Sequence, residues 1–211
     1  MQQGLISIII PTFNRANLLP ETLVSVLAQT YKHWECIIVD DGSNDDTQKV
    51  ISTYLLKDSR FKFFNRPIEK PKGANACRNY GFKRSKGEFI NFLDSDDLLN
   101  EDFLRLKIEA LINKKSLDFC ACINSTFKDD PTNIISIDRP ATLQSKNYIE
   151  DYLLNGLYFF TSSPLWRRDF LKDKELFDET LHRSQERDFH FRMLTLNAKY
   201  TYLDKVLVYK R

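Results

Sequence analysis

The feature that most constrains this chain is a rhythm. Short apolar runs that stop at polar turns alternate with stretches whose apolar residues recur at helical spacing. Leu5 to Ile10 is a continuous apolar run, the pattern of a strand buried on both faces of a parallel sheet, and it ends at Pro11. About Asn17 to Gln29 then reads as a helix, with Leu19, Leu23, Val26 and Leu27 on one face and Pro20 accommodated in its first turn. Trp34 to Val39 predicts a second strand, closed by Asp40-Asp41-Gly42-Ser43. Asp45 or Asp46 next caps a helix carrying Val50, Ile51, Tyr54 and Leu55. Phe61 to Phe64 and Glu88 to Leu93 predict two further strands, with helices over Ala74 to Arg84 and about Glu101 to Asn113. The expected class is therefore α/β, a doubly wound, mostly parallel central sheet flanked by helices. Past Asp118 the pattern loosens. Phe119 to Ile123 reads as a strand, Lys146 to Leu154 and Gln185 to Leu196 as helices, and Tyr200 to Tyr209 as one or two strands. With no repeat and no low-complexity linker, the 211 residues are expected to form a single domain.

Composition works by exclusion. Lys and Arg number 31 against 29 Asp and Glu, and the net charge of +2 gives no broad field for nucleic acid, so no nucleic-acid partner is expected. Cys36, Cys77, Cys120 and Cys122 lie in or beside apolar runs without the paired spacing of a zinc site. They read as buried free thiols, which fits a reducing compartment. There is no signal peptide and no apolar run of ~18 residues. A cytoplasmic protein is expected, and peripheral attachment at the inner face of a membrane would use a region outside this chain.

In open parallel sheets, ligands bind beyond the carboxyl ends of the strands, where loops and helix N-termini converge. Three polar loops fall there: Pro11-Thr12-Phe13-Asn14-Arg15, Asp40-Asp41-Gly42-Ser43 and Asp94-Ser95-Asp96-Asp97. Three carboxylates among residues 94–97 repel one another, and a bound Mn²⁺ or Mg²⁺, which takes oxygen ligands, would relieve that repulsion. Singly, each loop has a plain structural reading as a capping turn, a glycine turn or a strand-ending proline. No Gly-x-Gly-x-x-Gly follows the first strand and no Gly-x-x-x-x-Gly-Lys-Ser/Thr occurs, which argues against dehydrogenase and P-loop sites.

Taken together and in order, five segments resemble the motifs of family-2 glycosyltransferases of the GT-A fold. They are Ile8 to Arg15, Ile38 to Ser43, Gly73 to Gly81, Phe92 to Asp97 and Ser184-Gln185-Glu186-Arg187-Asp188-Phe189. The resemblance covers nearly the whole chain. It implies transfer of a sugar from a nucleotide-sugar donor, expected to be a UDP-sugar, to an acceptor hydroxyl with inversion. Cell-surface polysaccharide or glycoconjugate synthesis is the implied setting, with a carbohydrate or lipid-linked sugar as acceptor. By the resemblance, Pro11, Thr12, Phe13 and Arg15 border the nucleoside and Asp41 accepts a hydrogen bond from the base. Asp94 and Ser95 lie near the ribose, Asp96 coordinates the Mn²⁺ or Mg²⁺ that bridges the diphosphate, and Arg78 meets phosphate oxygens. Glu186 falls at the general-base position and Asp188 at another acidic position of the same motif, so both are candidate catalytic carboxylates and either could be the base. The usual Glu-Asp pair is here Gln185-Glu186. Residues 1–115 would form the nucleotide-sugar-binding half and 116–211 the acceptor and catalytic-base half. Relatives often continue beyond Val208-Tyr209-Lys210-Arg211 into a loop with a metal-binding histidine, so the chain is compatible with C-terminal truncation. His33, His182 and His190 are isolated and receive no role, and Trp166 reads as core. Two alternatives stand beside this expectation: a nucleotide-sugar-binding module without turnover, and a sugar nucleotidyltransferase, which would need a Gly-rich basic loop after the first strand.

Overall fold

Alternation along the first strand sets the layers of the molecule, seen in a computed structural model that describes residues 2–143, 145 and 147–211. In β1 (Gln2–Thr12), Ile6, Ile8 and Ile10 enter one apolar layer and Ile9 the other, as the two-residue period of a strand requires. β2 (Trp34–Asp40) pairs with β1 in parallel, β3 (Phe61–Asn65) pairs with β2, and β4 (Gly87–Phe92) pairs with the other edge of β1. The first layer is covered by α1 (Leu19–Leu27), α2 (Thr47–Lys57) and, further along the chain, α4 (Phe103–Ile112). Against the second layer lies α3 (Ala74–Arg84), which crosses the strands at Gly81. A Cβ there would stand 2.5 Å from Ile9 Cγ2 and 3.3 Å from Val39 Cγ2, so the helix backbone rests directly on the sheet.

Four more strands, β5 (Leu98–Leu99), β6 (Phe119–Lys128), β7 (Asp130–Asp138) and β8 (Leu165–Arg167), precede the last, β9 (Tyr200–Lys210). The sheet runs β3-β2-β1-β4-β8-β6-β9-β5, with β7 also paired to β6. β8 is antiparallel to both β4 and β6. It thereby joins the parallel first half to a second group in which β6 and β9 are parallel. Helices α5 (Tyr148–Leu154), α6 (Arg168–Leu171) and α7 (Gln185–Thr195) close the second layer through Tyr152, Leu171, Phe189 and Met193. The expected α/β sheet flanked by helices is present. Tyr200 to Lys210 is one strand, and Lys146, expected to open a helix, lies outside the described residues. Strand β1 runs past Pro11 because pairing with β4 has already ended at Ile9–Phe92, so the missing N–H removes no ladder bond to β4. All four cysteines are free and buried. No helix among the described residues is long and apolar enough to cross a membrane.

Trp166 is core, stacked on Phe119 with ring centroids 4.1 Å apart, and His190 is buried beside it. Burial holds the His190 pKa down to about 3, from an ordinary 6.5; the hydrogen bond to the Phe159 backbone opposes this and the Arg78 charge adds to it. The folded state therefore keeps a neutral ring while the unfolded chain takes up a proton as pH falls below 6.5. Stability from this source is complete above the unfolded value and is lost towards the folded one. Urea unfolding is expected to show about 2 kcal/mol less stability at pH 5 than at pH 7 from this residue alone. His190→Phe should flatten the dependence by that amount, and equal slopes in the two proteins would exclude this origin.

Candidate functional site

The ends of the parallel strands are in register, and this gathers the polar loops. Thr12 pairs with Asp40, Asp40 with Asn65, and β4 ends opposite Ile9, where the Leu93 N–H donates to the Ile9 carbonyl at 2.9 Å. The loops after β1 and β2 are stitched together. Asn14 N donates to Ser43 Oγ at 2.9 Å, Asn44 N to Asn14 Oδ1 at 2.9 Å, and Arg15 N to Thr47 Oγ1 at 2.8 Å. The adjacent aspartates divide their work. Asp40 is fully buried and folds its own turn, accepting from Ser43 N at 3.1 Å and Ser43 Oγ at 2.5 Å, with Gly42 at φ 90°.

Asp41 instead faces a cleft of about 360 Å³. Pro11, Thr12, Phe13, Arg15, Asp41, Arg78, Asp94, Ser95 and Asp96 all line it, joined by Ala74 and Cys77. The structure thus brings together every residue that the sequence placed around the donor. Asp41 is also occupied from behind: Arg66 Nε donates to Oδ1 and Gly73 N to Oδ2 at 2.8 Å. Arg66 was not foreseen, although it follows β3 at the same rim and the strand-end argument reaches it.

α3 is short of apolar residues on its inward face: Gly81 rests on the sheet there, and the N-terminal part of the helix borders the cleft through Ala74, Cys77 and Arg78. Asn75 and Arg78 are buried there, behind Gly73, whose φ of 132° opens the helix. The Arg78 guanidinium donates to Asp94 Oδ1 at 2.6 Å, Asn75 Oδ1 at 3.0 Å and Gln185 Oε1 at 3.2 Å. Its Nε has no partner. Thr12 Oγ1 and Arg15 Nε are likewise buried without a hydrogen bond. Three unsatisfied polar atoms at one cleft suit a polar, anionic ligand that completes them.

On the Asp94–Asp97 loop, Asp96 Oδ2 lies 3.6 Å from Arg15 Nε, and Asp97 is buried behind it. Burial, then the Asp94 charge, push the Asp97 pKa up to about 8, against a hydrogen bond from Ser162; Asp96 adds to the rise. Among the described residues no group of three or more His, Cys, Asp or Glu side chains is placed to hold a metal. The set fits a hard cation shared with a ligand, taking one or two carboxylates here and its other oxygens from phosphate and water, rather than an all-protein cage.

α7 begins beside this cleft. Gln185 reaches Arg78, whereas Glu186 lines a second cleft, of about 420 Å³, with Asp138, Tyr152, Phe159, Phe160 and Arg187. Asp188 stands apart from both. Its carboxylate accepts from Arg192 at 2.7 Å and it lines a third cleft, next to Asn79, Phe177 and Glu179. The two candidate acids thus lie on different walls, and neither lines the cleft that holds Asp96.

The model of glycosyl transferase family 2 matches residues 7–174. An uncharacterised glycosyltransferase of Rickettsia typhi is 30% identical over 203 residues, 93% of this chain and 60% of that protein. The UDP-Glc:alpha-D-GlcNAc-diphosphoundecaprenol beta-1,3-glucosyltransferase WfgD of Escherichia coli is 38% identical over 120 residues, 56% of this chain and 45% of that one. Among solved structures, TarS 1-349 of S. aureus in complex with UDP-GlcNAc superposes with a TM-score of 0.77 at 25% identity, covering 97% of this chain and 57% of that one. The chain covers less than two thirds of the length of each. The sheet and its helices therefore match a GT-A protein, and the chain belongs to glycosyl transferase family 2.

Proposed function

We propose that this chain transfers a sugar from a UDP-sugar to an acceptor hydroxyl with inversion at the anomeric carbon, in the synthesis of a cell-surface polysaccharide or glycoconjugate. The observation that carries this is the cleft at the strand ends, where Thr12 Oγ1, Arg15 Nε and Arg78 Nε are buried without hydrogen-bond partners beside Asp41 and Asp96. The UDP-GlcNAc complex of TarS and the UDP-Glc donor in the name of WfgD support the nucleotide. In this reading Asp41 takes the N3–H of uracil, Thr12, Phe13 and Arg15 border the nucleoside, Asp94 and Ser95 meet the ribose, and Arg78 meets the diphosphate. Mn²⁺ or Mg²⁺, held by Asp96, would supply positive charge to the diphosphate. The acceptor occupies the second cleft, whose Tyr158, Phe159, Phe160 and Leu153 suit the apolar part of a lipid-linked sugar. Glu186 takes the acceptor hydroxyl proton as that oxygen bonds to the anomeric carbon. The bond to the diphosphate breaks in the same step, and Arg78 stabilises the charge left on the nucleoside diphosphate.

Calorimetry of UDP with Mn²⁺ tests the donor assignment. Asp41→Ala is expected to weaken binding by about 1–3 kcal/mol, because it removes a fixed acceptor from the base. Arg66→Ala, which frees the same carboxylate, should weaken it less. Unchanged affinity in Asp41→Ala ends its role at the base, and a wild type that binds no nucleoside diphosphate ends the donor reading altogether.

A further inference from the structure

Four residues between β6 and β8 form a buried polar block that the transfer chemistry leaves unused: Thr161, Ser162, Ser163 and Pro164. Ser162 and Ser163 are fully buried. Asn91 Nδ2, from β4, donates to the carbonyls of Ser162 and Pro164, both at 3.0 Å. Lys107 Nζ, from α4 and also fully buried, donates to the Ser163 carbonyl at 2.5 Å and to the Cys120 carbonyl at 3.0 Å. Ser163 Oγ accepts from Cys122 N at 3.0 Å and donates to the Cys122 carbonyl at 2.9 Å. Asn91 Oδ1 is left without a partner, but the donors of Asn91 and Lys107 and the Ser163 hydroxyl are paired, so a shift of the block would leave buried donors unsatisfied.

What this anchored block presents outward is the Ser162 hydroxyl. It donates to Asp97 Oδ2 at 2.6 Å and accepts from Asp94 N at 3.2 Å, spanning both ends of the Asp94–Asp97 loop. The same stretch of chain, two residues earlier, is a wall of the second cleft at Phe160, where Lys210 Nζ sits 3.4 Å from the ring centroid. We infer that Ser162 is a positioning residue that clasps the Asp94–Asp97 loop and fixes the place of Asp96, the carboxylate that would hold the metal. The inference rests on the reading of that loop as the donor's. Neither Ser162 nor Asp97 touches the donor cleft. Their effect is indirect: with the loop pinned at Asp94 and Asp97, the Asp96 carboxylate between them is held where a cation and a diphosphate can share it.

The test compares Ser162→Ala with Ser163→Ala, each of which deletes one buried hydroxyl from the same block. Only the first hydroxyl reaches the donor loop. Calorimetry would follow UDP binding while Mn²⁺ is titrated, with thermal melts as the measure of folding. Ser162→Ala is expected to need about tenfold more Mn²⁺ for half of its UDP binding, and Ser163→Ala to keep the wild-type requirement whatever its melting temperature. Asp97→Ala, which breaks the clasp from its other end, should match Ser162→Ala, and the double variant should be no worse than either alone. If Ser162→Ala does not fold, Asp97→Ala against Ser163→Ala carries the comparison. A wild-type Mn²⁺ requirement in the clasp variants, or an equal rise in Ser163→Ala, overturns the inference. A wild type that binds no UDP overturns instead the donor reading beneath it.

Discussion

Glu186→Gln is expected to leave UDP affinity nearly unchanged while lowering turnover by about 10²-fold or more. The substitution keeps the shape of the side chain and removes its basicity. Glu186 lines the second cleft and not the donor cleft, so the nucleotide should not sense the change, and the contact to Arg78 comes from Gln185, which is untouched. Steady-state transfer assays with parallel UDP calorimetry separate the two effects. Asp188→Asn is the companion variant: its carboxylate is held by Arg192 on another wall, so any loss there should follow stability rather than turnover. Full activity in Glu186→Gln would remove it as the base. NMR of the first-formed product adds a second check, since a single displacement converts an α-linked donor into a β-linked product. No wild-type turnover with intact UDP binding would favour the binding-module alternative.

Asp96→Ala is expected to abolish the gain in UDP affinity that Mn²⁺ gives the wild type. Its behaviour in chelator makes the test sharper. Without a cation, a carboxylate beside the diphosphate repels it, and Asp96 also holds the charge of Arg15 at 3.6 Å. In chelator the variant should therefore bind UDP as well as the wild type or better, with its deficit confined to Mn²⁺. Calorimetry of both proteins under both conditions checks the sign as well as the size. An equal Mn²⁺ gain in the two proteins would remove the metal from Asp96.

The first half of the fold was legible because its strands, α1 and α4 bury simple periodic patterns. Leu5 to Ile10 fills both layers, and the α3 limits of Ala74 and Arg84 follow from Gly73 before it and the polar Ser85 after it. Asp45 was one of two candidates to cap α2, and its carboxylate accepts from Thr47 N at 3.0 Å, while Asp46 makes no such bond. The second half was harder to read for physical reasons. β7 is exposed on both faces, so Ile134, Ile135 and Ile137 give it no in-and-out alternation, and β8 is only three residues long. In the site, the cleft-lining loops could be read because they end parallel strands. The partners of those residues could not. Arg66 behind Asp41, and Ser162 behind Asp94 and Asp97, are 25 and 65 or more residues away in sequence; the end of β3 puts Arg66 at the rim, but nothing local says which carboxylate it meets, and the lone Ser162 carries no signal at all. Gln185 stood out only as a departure from an acidic pattern, yet it is the α7 residue that meets Arg78.

Gly81 has a consequence for how such a protein can diverge. Because α3 rests on Ile9 and Val39 at that point with no room for a methyl group, the helix acts as a rigid beam whose height above the sheet is set at one bearing. Arg78 lies one turn nearer the cleft on the same beam. A side chain at position 81 would force the helix or the Ile9 and Val39 side chains beneath it to move, and a moving helix carries Arg78 with it without altering any residue that lines the cleft. The height of Arg78 above the sheet is thus set by a packing contact one helical turn away rather than by the loops that line the cleft.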